Sequence, residues 1–244
     1  MRPKEFLAAL RSPRYLASLW RYRGLAATAG APLPALRALR PITNEATAQT
    51  GFDAHYIYHT GWAARVLAET RPERHIDIGS SLYFVSIASA IVPITHYDYR
   101  PPALAMPGVA VGAADLLELP FDNGAFPSLS CMHVIEHVGL GRYGDRLDPL
   151  GDRKAAAELQ RVLAPGGQFL FVTPVGRPAI AFNAHRIYSH EGVLELFPGL
   201  KLKSFALITD KRDGNLFLPD ADPARVARQR YGCGCYLFEK PASA

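Results

Sequence analysis

Long apolar runs are missing from this 244-residue chain. No stretch reaches the ~20 apolar residues that a membrane-spanning helix requires. Cysteine is scarce and odd in number, three in all. In a chain long enough to build its own core, that excludes a disulfide scaffold and predicts reduced thiols and a cytoplasmic address. Glycine and proline, 20 of each, fall short of the roughly 25–30 % that marks low-complexity chains. No internal repeat is present. The N-terminus lacks the apolar core of a signal peptide, because Arg11, Arg14, Arg21 and Arg23 interrupt it. Net positive charge is missing from most of the chain. The net charge is +5, yet residues 1–50 alone carry +6, which leaves −1 for the remainder. That division disfavours a uniformly basic nucleic-acid-binding domain.

Two domains are expected, a basic helical extension over residues 1–52 and a main domain over 53–244. In the extension Phe6, Leu7 and Leu10 form one apolar patch, and Tyr15, Leu16, Leu19 and Trp20 form another. Pro13 is expected to separate two short helices. The extension reads as a packing appendage or substrate lid. A second reading is a basic amphipathic segment making weak contact with an anionic membrane surface, where each cation is worth ~1 kcal/mol. A mitochondrial presequence fits poorly with Glu5 and the prolines.

From Asp53 the pattern becomes regular. Asp53 caps a helix carrying Tyr56, Tyr58, Trp62, Val66 and Leu67. Strands are predicted at 75–78, 94–98, 109–113, 129–133, 168–173, 202–208 and 233–239. A helix follows the first strand, another ends near Leu163, and another covers about 190–196. Strand and helix signals alternate, which predicts a Rossmann-like, seven-stranded, doubly wound, mostly parallel sheet with an antiparallel last strand.

Ligands of such sheets sit beyond the carboxyl ends of the strands. After strand one stand Asp77, Gly79, Ser80 and Ser81; strand two ends at Asp98; Asp115 and Leu116 follow strand three; His133, Glu136 and His137 follow strand four. Gly79 lets backbone approach a ligand. A carboxylate at Asp98 can accept from both hydroxyls of a ribose. Asp115 can accept from an adenine amino group while Leu116 packs on the ring. Together they describe an adenosine-shaped site.

The order His75-Ile76-Asp77-Ile78-Gly79-Ser80-Ser81, Asp98, Asp115-Leu116-Leu117-Glu118-Leu119-Pro120-Phe121, His133-Val134-Ile135-Glu136-His137-Val138 and Leu163-Ala164-Pro165-Gly166-Gly167 resembles the class I S-adenosylmethionine-dependent methyltransferases, small-molecule branch. The resemblance covers about residues 53–240. Within that superfamily, the runs Phe52-Asp53-Ala54-His55-Tyr56, 135–145 and Phe182-Asn183-Ala184-His185-Arg186 are similar to a subfamily of unknown function. The resemblance implies S-adenosylmethionine as cofactor. It puts Asp77 and Gly79 at the methionine end, Asp98 on the ribose, Tyr99 or Arg100 beside the adenine, Asp115 and Leu116 on the adenine, and His133 near the sulfonium. The usual glycine-rich loop has two or three glycines. Here Ser80 and Ser81 replace the later ones; they can still hydrogen-bond a carboxylate.

His133-Val134-Ile135-Glu136-His137 also matches the H-x-x-E-H motif of zinc peptidases, but that chemistry needs both histidines on one helix. His137 and His185 are the candidate general bases, since a neutral imidazole suits removal of a hydroxyl proton near pH 7. The long loop 139–152 is a candidate substrate lid, with Arg142 and Tyr143 its contact residues. Its Asp145, Asp148 and Asp152 read as turn and cap formers; the alternative is a divalent metal site. Tyr56, His59, Asn183 and Arg186 complete the candidate substrate-binding set. Cys233-Gly234-Cys235 alone carries little weight for zinc, and Cys131 reads as a core residue. No metal is expected.

The expected reaction is methyl transfer to a hydroxyl of a small molecule or glycan. The alternatives are a catalytically silent, adenosine-binding partner protein and an RNA-modifying methyltransferase. Nothing in the sequence fixes the oligomeric state.

Overall fold

The computed structural model describes residues 11–242. Glu5 and the patch Phe6, Leu7 and Leu10 lie outside the described residues. The chain divides into two compact units, Met1–Phe52 and Asp53–Ala244. No helix among the described residues is long and apolar enough to cross a membrane.

In the first unit, helix α1 covers Pro13–Thr28. Pro13 opens this helix at a position where a missing N–H costs nothing. The helix exposes Leu16, Trp20, Tyr22 and Leu25 on a segment that also carries Arg14, Arg21 and Arg23. A single 3₁₀ turn at Leu36–Ala38 follows, within a loop punctuated by Pro32, Pro34 and Pro41.

The second unit opens with α2, Ala54–Thr70, whose first turn is capped by Asp53 through the Tyr56 amide. Next come β1 (His75–Ile78), α3 (Leu82–Ala88), β2 (Ile94–Asp98), β3 (Val109–Ala113) and β4 (Phe126–Met132). Helix α4 (Gly151–Val162) leads directly into β5 (Leu163–Val175). A small hairpin of β6 (Ala179–Ala181) and β7 (His185–Ile187) precedes α5 (His190–Leu196), β8 (Lys201–Ile208), β9 (Phe217–Leu218) and β10 (Gly232–Glu239).

Eight strands form one sheet, in the order β3-β2-β1-β4-β5-β10-β8-β9. The expected number was seven. The eighth is the two-residue β9, too short to leave a periodic signal, which pairs antiparallel with the outer side of β8. Strands β1 to β5 are mutually parallel. Strand β10 runs antiparallel between β5 and β8.

Side chains alternate across the sheet with a period of two. Leu129, Cys131, Phe169, Phe171, Tyr236 and Phe238 face one way and pack against Ala155, Ala156, Leu159 and Val162 of α4. Met132, Leu170, Val172, Cys233 and Cys235 face the other way, against Trp62, Ala63, Val66 and Leu67 of α2 and Phe84 and Val85 of α3. Burying each large side chain is worth about 1.5–3 kcal/mol. The two layers hold the carboxyl ends of β1 to β4 together at one edge of the sheet, where the polar residues collect.

Candidate active site

A pocket of about 270 Å³ opens at the carboxyl ends of β1 to β4. Its walls include Gly79 after β1, Asp98, Tyr99 and Arg100 at the end of β2, Asp115 and Leu116 after β3, and His133 and His137 after β4. Nine of the residues expected at the site therefore share one cavity, counting Tyr143 on the loop that closes it.

Gly79 has φ +72, and a Cβ there would lie 2.9 Å from Val134 Cγ1. The bare backbone is what keeps this corner of the pocket open. Asp98 Oδ1 accepts from the Arg100 amide at 2.7 Å, and Oδ2 makes no hydrogen bond among the described residues. Asp115 Oδ1 likewise accepts from the Leu117 amide at 2.9 Å. Each carboxylate thus has its orientation fixed through one oxygen and keeps acceptor capacity on the other.

The loop after β3 is pinned from behind. Arg161 donates to the carbonyls of Phe121 at 2.6 Å and Leu119 at 2.9 Å, and to Glu158 at 2.7 Å. Glu158 in turn accepts from the Leu119 amide at 2.8 Å. This is the physical use of the Leu119-Pro120-Phe121 run: its backbone is the target of a buttress that holds Asp115 and Leu116 in place.

Asp77, Ser80 and Ser81 are absent from the pocket wall, and each has another task. Asp77 is fully buried; its carboxylate accepts from His96 at 2.7 Å, from the Ser80 amide at 3.2 Å, and from Ser130. Ser80 Oγ accepts from the Met132 amide at 3.0 Å. Ser81 caps α3. The two serines tie the β1 loop to β4 and α3, so Ile78 and Gly79 line the cavity from this loop.

The loop after His137 folds over the pocket mouth. Asp145 accepts from the amides of Gly139 at 2.8 Å, Gly141 at 3.3 Å and Tyr143 at 3.1 Å. Burial opposes its charge, and these donors outweigh it, so its carboxyl sits below the usual range. The Tyr143 ring lies under two guanidinium groups, Arg100 at 4.7 Å and Arg142 at 5.2 Å. Arg142, expected to touch substrate, also donates to the Ala184 carbonyl at 3.0 Å. Asp148 accepts from the Leu150 amide and Lys154. Asp152 accepts from Tyr188 at 2.9 Å and pairs with Arg186.

Arg186 is buried and braces this loop, donating to the Val138 carbonyl at 2.7 Å and the Pro149 carbonyl at 3.4 Å. Its guanidinium is committed to backbone and to Asp152, and it is absent from the pocket wall. Asn183 is exposed between β6 and β7.

Behind the pocket stands a group of rings centred on His133. This residue follows β4 with φ +57, a conformation that costs a non-glycine residue roughly 1–2 kcal/mol. The turn brings its ring against His55 (5.7 Å between centroids), Tyr56 (5.4 Å) and His59 (5.1 Å). Tyr231 stacks on His55 at 5.2 Å and meets His185 at 4.9 Å. Tyr56, His59 and His185, expected at the site, thus meet His133 or its neighbours. His55, Glu136, Tyr231 and Cys233 are additions.

Burial shapes the charge of this group. It pushes His55 and His133 down to about 4 and His59 down to about 3, so all three rings are neutral at pH 7. Burial raises Glu136 to about 7. His133 Nδ1 donates to Glu136 Oε1 at 2.9 Å. His133 sits on an irregular turn after a strand, and only one 3₁₀ turn, Ile135–His137, follows it; the helix that the zinc-peptidase motif requires is not formed. His137, held neutral by burial, donates from Nδ1 to the Ala184 carbonyl at 2.5 Å. Its Nε2, 3.8 Å from Glu136 Oε1, is left as an acceptor.

No curated protein matches the chain. A family described as a Caenorhabditis protein of unknown function, DUF268, matches residues 122–212, consistent with the subfamily resemblance noted in the sequence. Among solved structures the chain is similar to the N-methyltransferase NodS from Bradyrhizobium japonicum, solved with S-adenosylhomocysteine (16 % identity, 77 % of this chain and 88 % of that one, TM-score 0.53). It is also similar to the 1,6-didemethyltoxoflavin-N1-methyltransferase of Burkholderia thailandensis (15 %, 99 % and 91 %, 0.51). A third is an S-adenosylmethionine-dependent methyltransferase of Methanosarcina mazei (14 %, 73 % and 98 %, 0.51). The fold is that of the class I, Rossmann-like methyltransferases.

Proposed function

We infer that this chain is an S-adenosylmethionine-dependent methyltransferase that methylates a hydroxyl oxygen of a small molecule or sugar. One observation carries the reading: a glycine with positive φ, two half-engaged carboxylates and an apolar Leu116 surround one cavity at the ends of successive parallel strands. That donor set fits an adenosine ligand. The Gly79 backbone suits the methionine end, Asp98 the ribose hydroxyls, and Asp115 with Leu116 the adenine. Two of the similar proteins, NodS and the toxoflavin methyltransferase, were solved with S-adenosylhomocysteine.

The bound cofactor supplies an already activated methyl group. The protein's part is to position the acceptor and exclude water, worth about 7–11 kcal/mol in favourable cases. Loop 139–148 supplies the cover. His137 Nε2 takes the acceptor proton, and His185 stands across the ring cluster as a second base. The free thiols of Cys131, Cys233 and Cys235 support a reducing, cytoplasmic setting.

The test is calorimetric titration of S-adenosylmethionine and S-adenosylhomocysteine into the wild type and Asp98→Asn. Micromolar binding, weakened about 10- to 100-fold in the variant, is expected for loss of a charge-assisted hydrogen bond. A folded wild type that binds neither ligand overturns the assignment. Binding without methyl release to any hydroxyl acceptor supports a silent partner protein instead.

A further inference from the structure

We propose that His55, His133 and Cys233 form a three-ligand site for a divalent ion of the zinc class, with its fourth position open. The three residues come from three elements: the start of α2, the end of β4 and the start of β10. One ring nitrogen of each histidine and Cys233 Sγ all lie within 4.8 Å of one another.

The geometry suits that ion. Zinc bonds of ~2.0–2.1 Å to nitrogen and ~2.3 Å to sulfur, at a tetrahedral angle, place the two ligand atoms about 3.6 Å apart. Cys233 Sγ and His133 Nε2 are 3.5 Å apart. His55 and His133 are both half-buried and Cys233 is buried, so an ion can enter from the histidine side. Nitrogen and sulfur donors select zinc-like ions over magnesium or calcium.

The hydrogen bonds prepare the donor atoms. His133 Nδ1 is spent on Glu136, so Nε2 faces Cys233 as a bare lone pair. A carboxylate behind a histidine is the usual outer partner of a zinc ligand. The His55 ring is stacked on Tyr231 at 5.2 Å, which holds it beside His133. When the ion binds, the Cys233 thiol proton passes to solvent.

A second observation points to a ligand. His59 Nε2 and Glu136 Oε2 are buried without hydrogen-bond partners, and both residues are fully shielded from solvent. The His59 ring meets His133 edge-on at 5.1 Å, and Glu136 is already bonded to it. Both orphaned groups lie beside His133, where a bound ion or ordered water would give them a partner.

Three protein ligands and one free position characterise zinc sites that handle substrate, whereas structural sites are closed by four. His133 also lines the pocket. The open position therefore takes the hydroxyl oxygen of the methyl acceptor. That role rests on the methyltransferase reading; the ion site does not.

The experiment is anaerobic titration of metal-stripped, full-length protein with cobalt(II), followed by displacement with zinc. The expected result is one equivalent per chain, with a cobalt–thiolate charge-transfer band and visible bands of tetrahedral intensity. Cys233→Ser abolishes the charge-transfer band and Cys235→Ser keeps it. Glu136→Gln weakens binding roughly 10- to 100-fold. Should Cys233→Ser not fold, the half-buried His55→Ala carries the test and must weaken binding by more than Glu136→Gln does. No stoichiometric binding by folded wild type, or a band that survives in Cys233→Ser, overturns the site. S-adenosylhomocysteine titration on the same samples separates the two ideas. Nucleoside binding without metal sinks only the ion site, and metal binding without nucleoside sinks only the methyltransferase reading.

Discussion

His96 of β2 and Asp77 of β1 are paired at 2.7 Å inside the sheet, side by side in register. Ser130 donates to the other oxygen of Asp77, His75 Nε2 donates to Ser130 at 2.9 Å, and Ser128 donates to His75 Nδ1 at 2.7 Å. This donor order is self-consistent only with a neutral His75.

The two histidines give opposite pH dependences. Burial disfavours charge on His96, but the hydrogen bond and charge of Asp77 prevail and raise its pKa. Its contribution is complete below about 6.5 and is lost as pH rises through the raised value. Burial lowers His75 to about 4, so the unfolded chain binds the extra proton between about 4 and 6.5. Stability is lost as pH falls through that window, by about 3 kcal/mol for this residue. Urea melts at pH 7 and 4.5 are expected to show a shallower acid loss for His75→Asn than for the wild type. Equal losses would contradict the assignment.

Gly79→Ala places a Cβ 2.9 Å from Val134 in a backbone conformation that costs about 1–2 kcal/mol. A lower midpoint in thermal melts and weaker nucleoside binding by calorimetry should appear together. Adding Val134→Ala relieves the clash and leaves the conformational cost, so the double variant recovers only in part.

Arg161→Ala releases the carbonyls of Leu119 and Phe121 and the carboxylate of Glu158. None of these groups faces the pocket, yet Asp115 and Leu116 depend on them. Nucleoside affinity is expected to fall about 10-fold, as for misplaced supporting groups. Amide hydrogen exchange over residues 115–123 should speed up at the same time. Weaker binding with unchanged exchange would show that Arg161 acts elsewhere.

His137→Gln removes the proposed base. Turnover should fall by about 10²-fold or more, with nucleoside affinity unchanged to within about twofold if only the proton transfer is lost. A parallel drop in both would reassign His137 to cofactor binding.

Much of the parallel half was legible in the sequence. Strands β1, β2 and β3 begin and end where expected, because Gly79, the Pro101-Pro102 pair and Gly108 punctuate short apolar runs. Strand β5 starts five residues earlier than expected. Its Pro165-Gly166-Gly167 segment is absorbed where the β4 register shifts, so the turn lies inside the ladder. Strands β6, β7 and β9 were missed because two or three residues show no period. The pocket residues could be read because each follows its own strand. The ring cluster could not: His55 lay within the run Phe52-Asp53-Ala54-His55-Tyr56 that carried the resemblance, but only the packing of α2 and β10 shows that it meets His133 and Cys233. Ser80 was misplaced because a sequence does not tell which side of a turn a serine faces.

Strand β10 lies between β5 and β8 but is synthesised after both. As the chain leaves the ribosome, the five parallel strands can form their pocket early, while β8 and its short partner β9 join the parallel strands only when β10 arrives. Cys233 travels with that late strand. The pocket and the histidine–cysteine cluster therefore mature at different moments of biosynthesis, and an ion meeting the nascent protein would find its thiolate last.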